Sequence, residues 1–307
     1  MVGYLFAGQG AQYVGMAKDL CEAFPESKAV FDKADAVLGS SFSRLIFEGP
    51  QEELTKTKNC QPAILTASVA CFEAFKSTTY GRQETAGFVA GLSLGEYSAL
   101  VAASALEFED ALVLVRQRGA FMDEEALLRP GAMLSVIGLG TDAVKRVCEE
   151  SHTEVANLNC PGQVVISGGI SEIGAAEAAA VQAGAKRVIR LEVSGAFHSS
   201  LMQGAGAKLA KALEKTKLRK PMIPVVNNVT AKPVSEPQEI RDNLIKQVAS
   251  SVLWEESMRF MLSKGVKEFF EFGPGKVLKG LMRRIDGTAQ VTNIEKKEDV
   301  LALAGKG

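Results

Sequence analysis

The chain has 307 residues, a hydrophobic share of 47% and a formal net charge of −1. That length holds one large domain or two of ordinary size, with apolar residues enough for a sizeable core. The charge balance excludes the basic excess of a nucleic-acid binder or of a protein bound to an anionic membrane, and no apolar stretch approaches the roughly 20 residues of a membrane span. The first residues lack the basic region and long apolar run of a signal peptide, and a cytoplasmic setting is expected from the cysteines. Cys21, Cys60, Cys71, Cys148 and Cys160 are an odd set without C-x-x-C spacing. They fit reduced thiols better than disulfides or a zinc site.

Taken in chain order, Tyr4-Leu5-Phe6-Ala7 reads as a short strand ending in the glycine turn Gly8-Gln9-Gly10. Helical patterns follow over residues 16–24 and 26–38. Gln61-Pro62-Ala63 opens a helix to residue 75, apolar at Ile64, Ala67, Ala70, Cys71 and Ala74. The run Ala86-Gly87-Phe88-Val89-Ala90 reads as a buried strand, and residues 97–103 and 109–120 read as helices. Strands alternating with helices predict an α/β fold with a parallel or mostly parallel sheet. Between residues 127 and 194 the texture changes. Strand 133–139, helix 141–150, strands 154–158 and 163–167, helix 171–183 and strand 187–193 give the order βαββαβ of a ferredoxin-like unit. The expectation is a small domain at 127–196 inserted into a large catalytic domain made of 1–126 and 197–307. The large domain resumes with helix 201–217, strand 223–227, helices 237–247 and 255–264, and strand 267–272.

Gly91-Leu92-Ser93-Leu94-Gly95-Glu96 lies between a predicted strand and a predicted helix. G-x-S-x-G in that setting is the signature of a nucleophile elbow, although glycine and serine are common enough for the pattern to arise by chance. The sharp turn exposes the serine hydroxyl, flanking glycines avoid crowding, and the helix N-terminus faces the place where an oxyanion would form. A serine nucleophile needs a base, and the chain has two histidines. His198, in Gly195-Ala196-Phe197-His198-Ser199, lies at the return from the small domain, where a cleft is expected. His152 sits in a polar connection. His198 is therefore the preferred base, with a structural turn histidine as the plainer alternative. Ser199 or Ser200 can cap the helix that follows.

Three further features are weaker. The Gly8-Gln9-Gly10 turn can present a second N–H beside that of Leu94, or be an ordinary tight turn. Gly273-Pro274-Gly275-Lys276 looks superficially like a phosphate loop but lacks its spacing, and reads as a turn and helix cap. Arg116 and Arg118 point to different faces of one helix. Both can be solvated, or one can grip a carboxylate in the cleft through a bidentate fork.

These residues together resemble malonyl-CoA:acyl carrier protein transacylases and the related acyltransferase domains of polyketide synthases. The likeness spans nearly the whole chain. It runs through Phe6-Ala7-Gly8-Gln9-Gly10-Ala11-Gln12, Gly91 to Tyr97, Arg118-Gly119, Asn157-Leu158-Asn159-Cys160-Pro161-Gly162-Gln163, Gly195 to Ser199, and Phe272-Gly273-Pro274-Gly275-Lys276-Val277-Leu278. The resemblance implies Ser93 as acyl-carrying nucleophile and His198 as its base. It implies Gln247 as the residue whose backbone carbonyl orients the imidazole, and Arg118 as the partner of the malonyl carboxylate. It implies backbone N–H groups of Gln9 and Leu94 as oxyanion hole. The implied fold is an α/β-hydrolase-like domain with an inserted ferredoxin-like domain. The sequence departs from the family at Leu92, where histidine is usual, at Ala7, and at Ser200 and Ser251, where proline is usual. No catalytic group is lost by these changes.

The implied activity is ping-pong transfer of a malonyl group from malonyl-CoA to the phosphopantetheine thiol of acyl carrier protein, in fatty acid biosynthesis. No metal or bound cofactor is needed. Two alternatives use the same Ser–His site: a trans-acting acyltransferase of polyketide synthesis, and an acyl-thioester hydrolase with water as acceptor. A third is a module that docks carrier protein without turnover. Lys186 and Arg187 are basic candidates for contact with an acidic carrier protein or CoA phosphates, with solvated surface as the plainer reading.

Overall fold

The computed structural model describes residues 1–39 and 41–304; the last three residues of the expected large domain, 305–307, lie outside them. The chain begins with β1 (Val2–Phe6), α1 (Lys18–Ala23), α2 (Pro25–Leu38), and the short α3 (Phe42–Glu48) and α4 (Gln51–Thr55). The long α5 (Thr57–Ser77), α6 (Thr79–Gln83), β2 (Ala86–Gly91), α7 (Gly95–Ala102) and α8 (Phe108–Leu128) follow. A second run comprises β3 (Gly131–Ile137), α9 (Thr141–Ser151), β4 (Glu154–Cys160), β5 (Gln163–Gly169), α10 (Ile170–Gln182) and β6 (Arg187–Arg190). After a 3-10 turn over Ser200–Met202 come α11 (Gln203–Glu214), β7 (Val225–Val226), β8 (Pro233–Val234), α12 (Pro237–Gln247) and α13 (Trp254–Ser263). The chain closes with β9 (Glu268–Phe272), α14 (Val277–Ile285), β10 (Gln290–Ile294) and α15 (Lys297–Ala304).

The strands form two sheets. The larger has the order β10-β9-β1-β2-β7-β8, parallel throughout except for the edge strand β8. Every residue of β1 is buried, as a central parallel strand covered on both faces requires. Aromatic side chains fill one side: Phe272 lies 5.3 Å from Tyr4 and 5.4 Å from both Phe6 and Phe72, measured between ring centroids. The smaller sheet, β4-β5-β3-β6, is antiparallel throughout, and α9 and α10 cover it. Its core is separate, built on Leu134, Val136, Val164, Ile166, Val144 and Ile173. The order of strands and helices is the expected βαββαβ. One outer strand of this sheet, β4, is stitched to the segment after α12: Leu158 N–H donates to the Val252 carbonyl (2.9 Å) and Val252 N–H to that of Ala156 (2.9 Å).

Several boundaries differ from expectation. The helix expected to open at Gln61 begins at Thr57, with Pro62 inside it. Pro62 removes one helical donor near the N-terminus, while Asn59 and Cys60 N–H groups already wind onto the Lys56 carbonyl (both 2.8 Å). Nearly all of α5 is buried, so tertiary packing holds the turn that proline weakens. The helix expected at 201–217 is a 3-10 turn followed by α11. Ser199 does not cap it; its hydroxyl donates to the Ala196 carbonyl (2.7 Å), and the Ser200 hydroxyl donates to Glu154. The strand expected at 223–227 contracts to Val225–Val226. All five cysteines are free thiols. Among the described residues, no helix is long and apolar enough to cross a membrane, and no group of three or more His, Cys, Asp or Glu side chains is placed to hold a metal.

Candidate active site

The junction between β2 and α7 is a sharp turn that glycine alone permits. A Cβ on Gly91 would collide with the backbone of Gly95, and one on Gly95 with the Phe6 carbonyl. A Cβ on Gly8 would sit 2.5 Å from the Leu92 carbonyl oxygen, so the first and second strand ends touch backbone to backbone. At the apex Ser93 has φ +51°, a left-handed conformation costly for a non-glycine residue. Asn228, just past β7, holds it there. Its Oδ1 accepts from Ser93 N–H (2.6 Å) and its Nδ2 donates to the Gly91 carbonyl (2.8 Å).

His198 lies 105 positions away in sequence, yet its Nε2 is 2.8 Å from Ser93 Oγ. The other ring nitrogen, Nδ1, is 2.8 Å from the Gln247 carbonyl oxygen. A carbonyl only accepts, so Nδ1 carries the proton and Nε2 is left to accept from the serine hydroxyl. Burial and the neighbouring Arg118 guanidinium push His198 down to about 4 from the usual 6.5. At neutral pH the imidazole is therefore uncharged and ready to take a proton.

Arg118 is 1% exposed. Its Nη1 donates to Gln61 Oε1 (2.8 Å), and its Nη2 donates to Gln247 Oε1 (3.0 Å) and Ser93 Oγ (3.1 Å). The guanidinium also stands 5.5 Å from the Tyr97 ring centroid. No carboxylate lies within ion-pair distance of it among the described residues. Burial lowers its proton affinity, as it must for a cation held away from water. Of the two arginines weighed on the helix, Arg116 is the exposed one and donates to the Leu38 carbonyl.

Ser93 and His198 line a cavity of about 510 Å³, together with Gln9, Leu92, Met122 and Phe197. Neither the Gln9 nor the Leu94 N–H donates to a protein acceptor among the described residues. Ser93 N–H, by contrast, is spent on Asn228. The structure thus brings Ser93, His198, Arg118, Gln247, Gln9 and Leu94 to one region, while His152, Lys186 and Arg187 lie exposed elsewhere. The GPGK turn offers no anion site: the N–H groups of Leu278 and Lys279 already donate to the two oxygens of buried Glu271 (2.8 and 2.9 Å).

Three residues had no role in the sequence reading: Gln61, Asn228 and Glu96. The signal for Gln61 was weak, a polar side chain next to proline at the start of a mainly apolar stretch. Glu96 stood inside the elbow motif without a chemical assignment.

The chain is also similar to known proteins over nearly its full length. The family model for the acyl transferase domain matches residues 3–300. A malonyl CoA-acyl carrier protein transacylase from Bacillus subtilis is 45% identical over 304 residues, covering 97% of this chain and 95% of that protein. The crystal structure of an acyl carrier protein S-malonyltransferase from Vibrio cholerae superposes with a TM-score of 0.94 at 38% identity, covering 98% of this chain and 99% of that one. A malonyl-transacylase solved in complex with its type II polyketide acyl carrier protein gives a TM-score of 0.94 at 38% identity, covering 100% of this chain and 99% of that one. With the strand–serine–helix turn, the buried imidazole and this likeness over nearly its full length, the chain belongs to the acyl transferase domain family.

Proposed function

We propose that the chain is an acyl-carrier-protein S-malonyltransferase that works in fatty acid biosynthesis through an acyl-enzyme on Ser93. His198 Nε2 takes the hydroxyl proton as Ser93 Oγ attacks the thioester carbon of malonyl-CoA. The tetrahedral oxyanion is held by the N–H groups of Gln9 and Leu94. Collapse expels CoA, whose sulfur receives the proton from His198. The phosphopantetheine thiol of acyl carrier protein then gives its proton to His198 and attacks the malonyl ester, and Ser93 is regenerated. The reaction uses no metal and no prosthetic group, because the named side chains and N–H groups supply nucleophile, base and charge stabilisation.

The observation that carries this reading is Arg118, a buried guanidinium without a carboxylate partner, 3.1 Å from the nucleophile. A buried cation with no carboxylate in direct contact is costly, and the free carboxylate of a malonyl group relieves it. The guanidinium meets that carboxylate by exchanging its bonds to Gln247 and Ser93. A second cavity of about 820 Å³ shares Gln9, Thr55, Glu192 and Val193 with the first and includes Lys56 and Lys58 in its wall. It offers the pantetheine arm an approach. The division at 127–196 makes the small unit one wall of this cleft, and the free cysteines suit a cytoplasmic setting.

The test is brief exposure to malonyl-CoA followed by mass analysis of the Ser93 peptide, for the wild type and Arg118→Ala. Wild type should carry a malonyl group. In the variant malonyl transfer should fall by about 100-fold or more, as expected when a buried ion pair loses one partner, while acetyl transfer changes far less. Unchanged malonyl preference would remove Arg118 from this role. The likeness to a transacylase solved with a polyketide carrier protein favours one second reading, with the same chemistry and a polyketide acceptor. Rates with the two kinds of carrier protein separate them.

A further inference from the structure

Glu96 lies three residues after the nucleophile, in the first turn of α7, and the transfer chemistry does not use it. The side chain is buried at 2% exposure. One oxygen, Oε2, accepts from Asn228 N–H (3.0 Å) and from Gln247 Nε2 (2.7 Å). Those two residues hold the two halves of the reactive pair. Asn228 fixes the Ser93 backbone, and the Gln247 carbonyl fixes the His198 ring. The Gln247 amide also joins Glu96 to Arg118, accepting from the guanidinium through its oxygen and donating to the carboxylate through its nitrogen. One cation and one carboxylate are thus linked through a single amide without touching.

Around Glu96 the segments packed on it bring Arg118 from α8, Tyr97 from α7 itself, and the uncharged amides of Asn228 and Gln247. His198 stands across Gln247 from it. The Tyr97 phenol, pushed up to about 12, is neutral, and the His198 imidazole is neutral as described. Arg118 is the charge whose field acts on the carboxyl. Burial raises Glu96 to about 7, against the pull of Asn228 N–H, the Gln247 amide and Arg118. Near neutrality it stands at the edge of ionisation.

We infer that Glu96 is a positioning residue that also balances charge, holding Asn228 and Gln247 in place and taking up a proton when the carboxylate of a dicarboxylic acyl group pairs with Arg118. This rests on the malonyl reading above. Above the titration of Glu96, the cluster in the free protein holds one positive and one negative charge. A malonyl carboxylate adds a second negative charge in a site closed to water, which offsets the field of Arg118 and raises Glu96 further. A proton from solvent restores neutrality and returns to solvent when the carrier thiol removes the acyl group. An acetyl group carries no carboxylate and leaves Glu96 as it was.

The experiment mixes intact protein with malonyl-CoA or acetyl-CoA in weakly buffered solution at about pH 8, reading protons with an indicator and Ser93 acylation by mass. The wild type should take up roughly one proton per malonyl-enzyme formed and none per acetyl-enzyme. Glu96→Gln keeps the shape and should acylate without the uptake. Malonyl acylation without proton uptake in the wild type overturns the inference. So does equal uptake with acetyl-CoA, or uptake that survives Glu96→Gln, which would assign the proton to His198. If Glu96→Gln does not fold, the pH dependence of the wild-type uptake decides: it should fade as pH drops below about 7, where Glu96 already holds its proton, and uptake that persists well below that value belongs to His198 and overturns the inference. Failure to acylate Ser93 at all overturns the malonyl reading itself, and this inference with it.

Discussion

Two turns in the larger sheet have the same outline and opposite fates. β2 leads through Gly91-Leu92-Ser93-Leu94-Gly95 into α7, and β9 leads through Gly273-Pro274-Gly275-Lys276 into α14. Both are glycine-rich and both point a helix N-terminus past the end of a parallel strand. Such a terminus binds anions. At α14 the anion is internal, because the two oxygens of Glu271 take up the N–H groups of Leu278 and Lys279 in its first turn. At α7 the early carboxylate, Glu96, turns away to Asn228 and Gln247, and the turn opens onto a cavity. Where a carboxylate spends its hydrogen bonds decides whether a strand–turn–helix unit is structural or available for chemistry.

Three experiments press on that contrast. The largest effect is expected from Gly95→Ala, whose Cβ meets the Phe6 carbonyl and lies 2.9 Å from that of Ala7. Backbone cannot yield cheaply there, so a loss of at least about 4 kcal/mol in denaturant unfolding is expected, with acylation of Ser93 lost in any molecule still folded. The next concerns pH. Glu96 is raised from 4.5 to about 7 on folding, so between those values the native state holds a proton that the unfolded chain has released. Its contribution to stability is therefore fully present below the unfolded value and is lost as pH rises through the folded one, by about 3 kcal/mol in total. Denaturation of the wild type and Glu96→Gln across pH 4.5 to 7 should differ in slope in that sense; parallel curves would put the titration elsewhere. The smallest effect is Glu271→Gln, which sets an amide nitrogen against donors at α14 and should cost about 2 kcal/mol. Per folded molecule, malonyl transfer should be unchanged, and a loss of activity would mean that the two turns are not independent.

Much of this was legible in the sequence because it rests on local pattern. The elbow, the alternation of strands and helices and the βαββαβ unit are written in glycine placement and apolar periodicity, and α12 was read to its exact ends, Pro237–Gln247. The gaps lie where local signal is weak or the partner is remote. The short α3, α4 and α6 have too few turns to show periodicity, and β8 has two residues. The fifth strand of the parallel set, β10, lies at the sheet edge with only its last two residues buried, and went unread. Gln61 and Asn228 reach groups 57 and 135 positions away, Arg118 and Ser93. No local pattern encodes such pairings.

The two hydrogen bonds between β4 and Val252 carry a mechanical consequence. Val252 is five residues beyond Gln247, whose carbonyl aims the imidazole. A swing of the small sheet away from the large one must either rupture those bonds or drag this short tether with it. The carbonyl that holds the His198 ring is thus anchored, five residues on, to the outer strand of the smaller sheet.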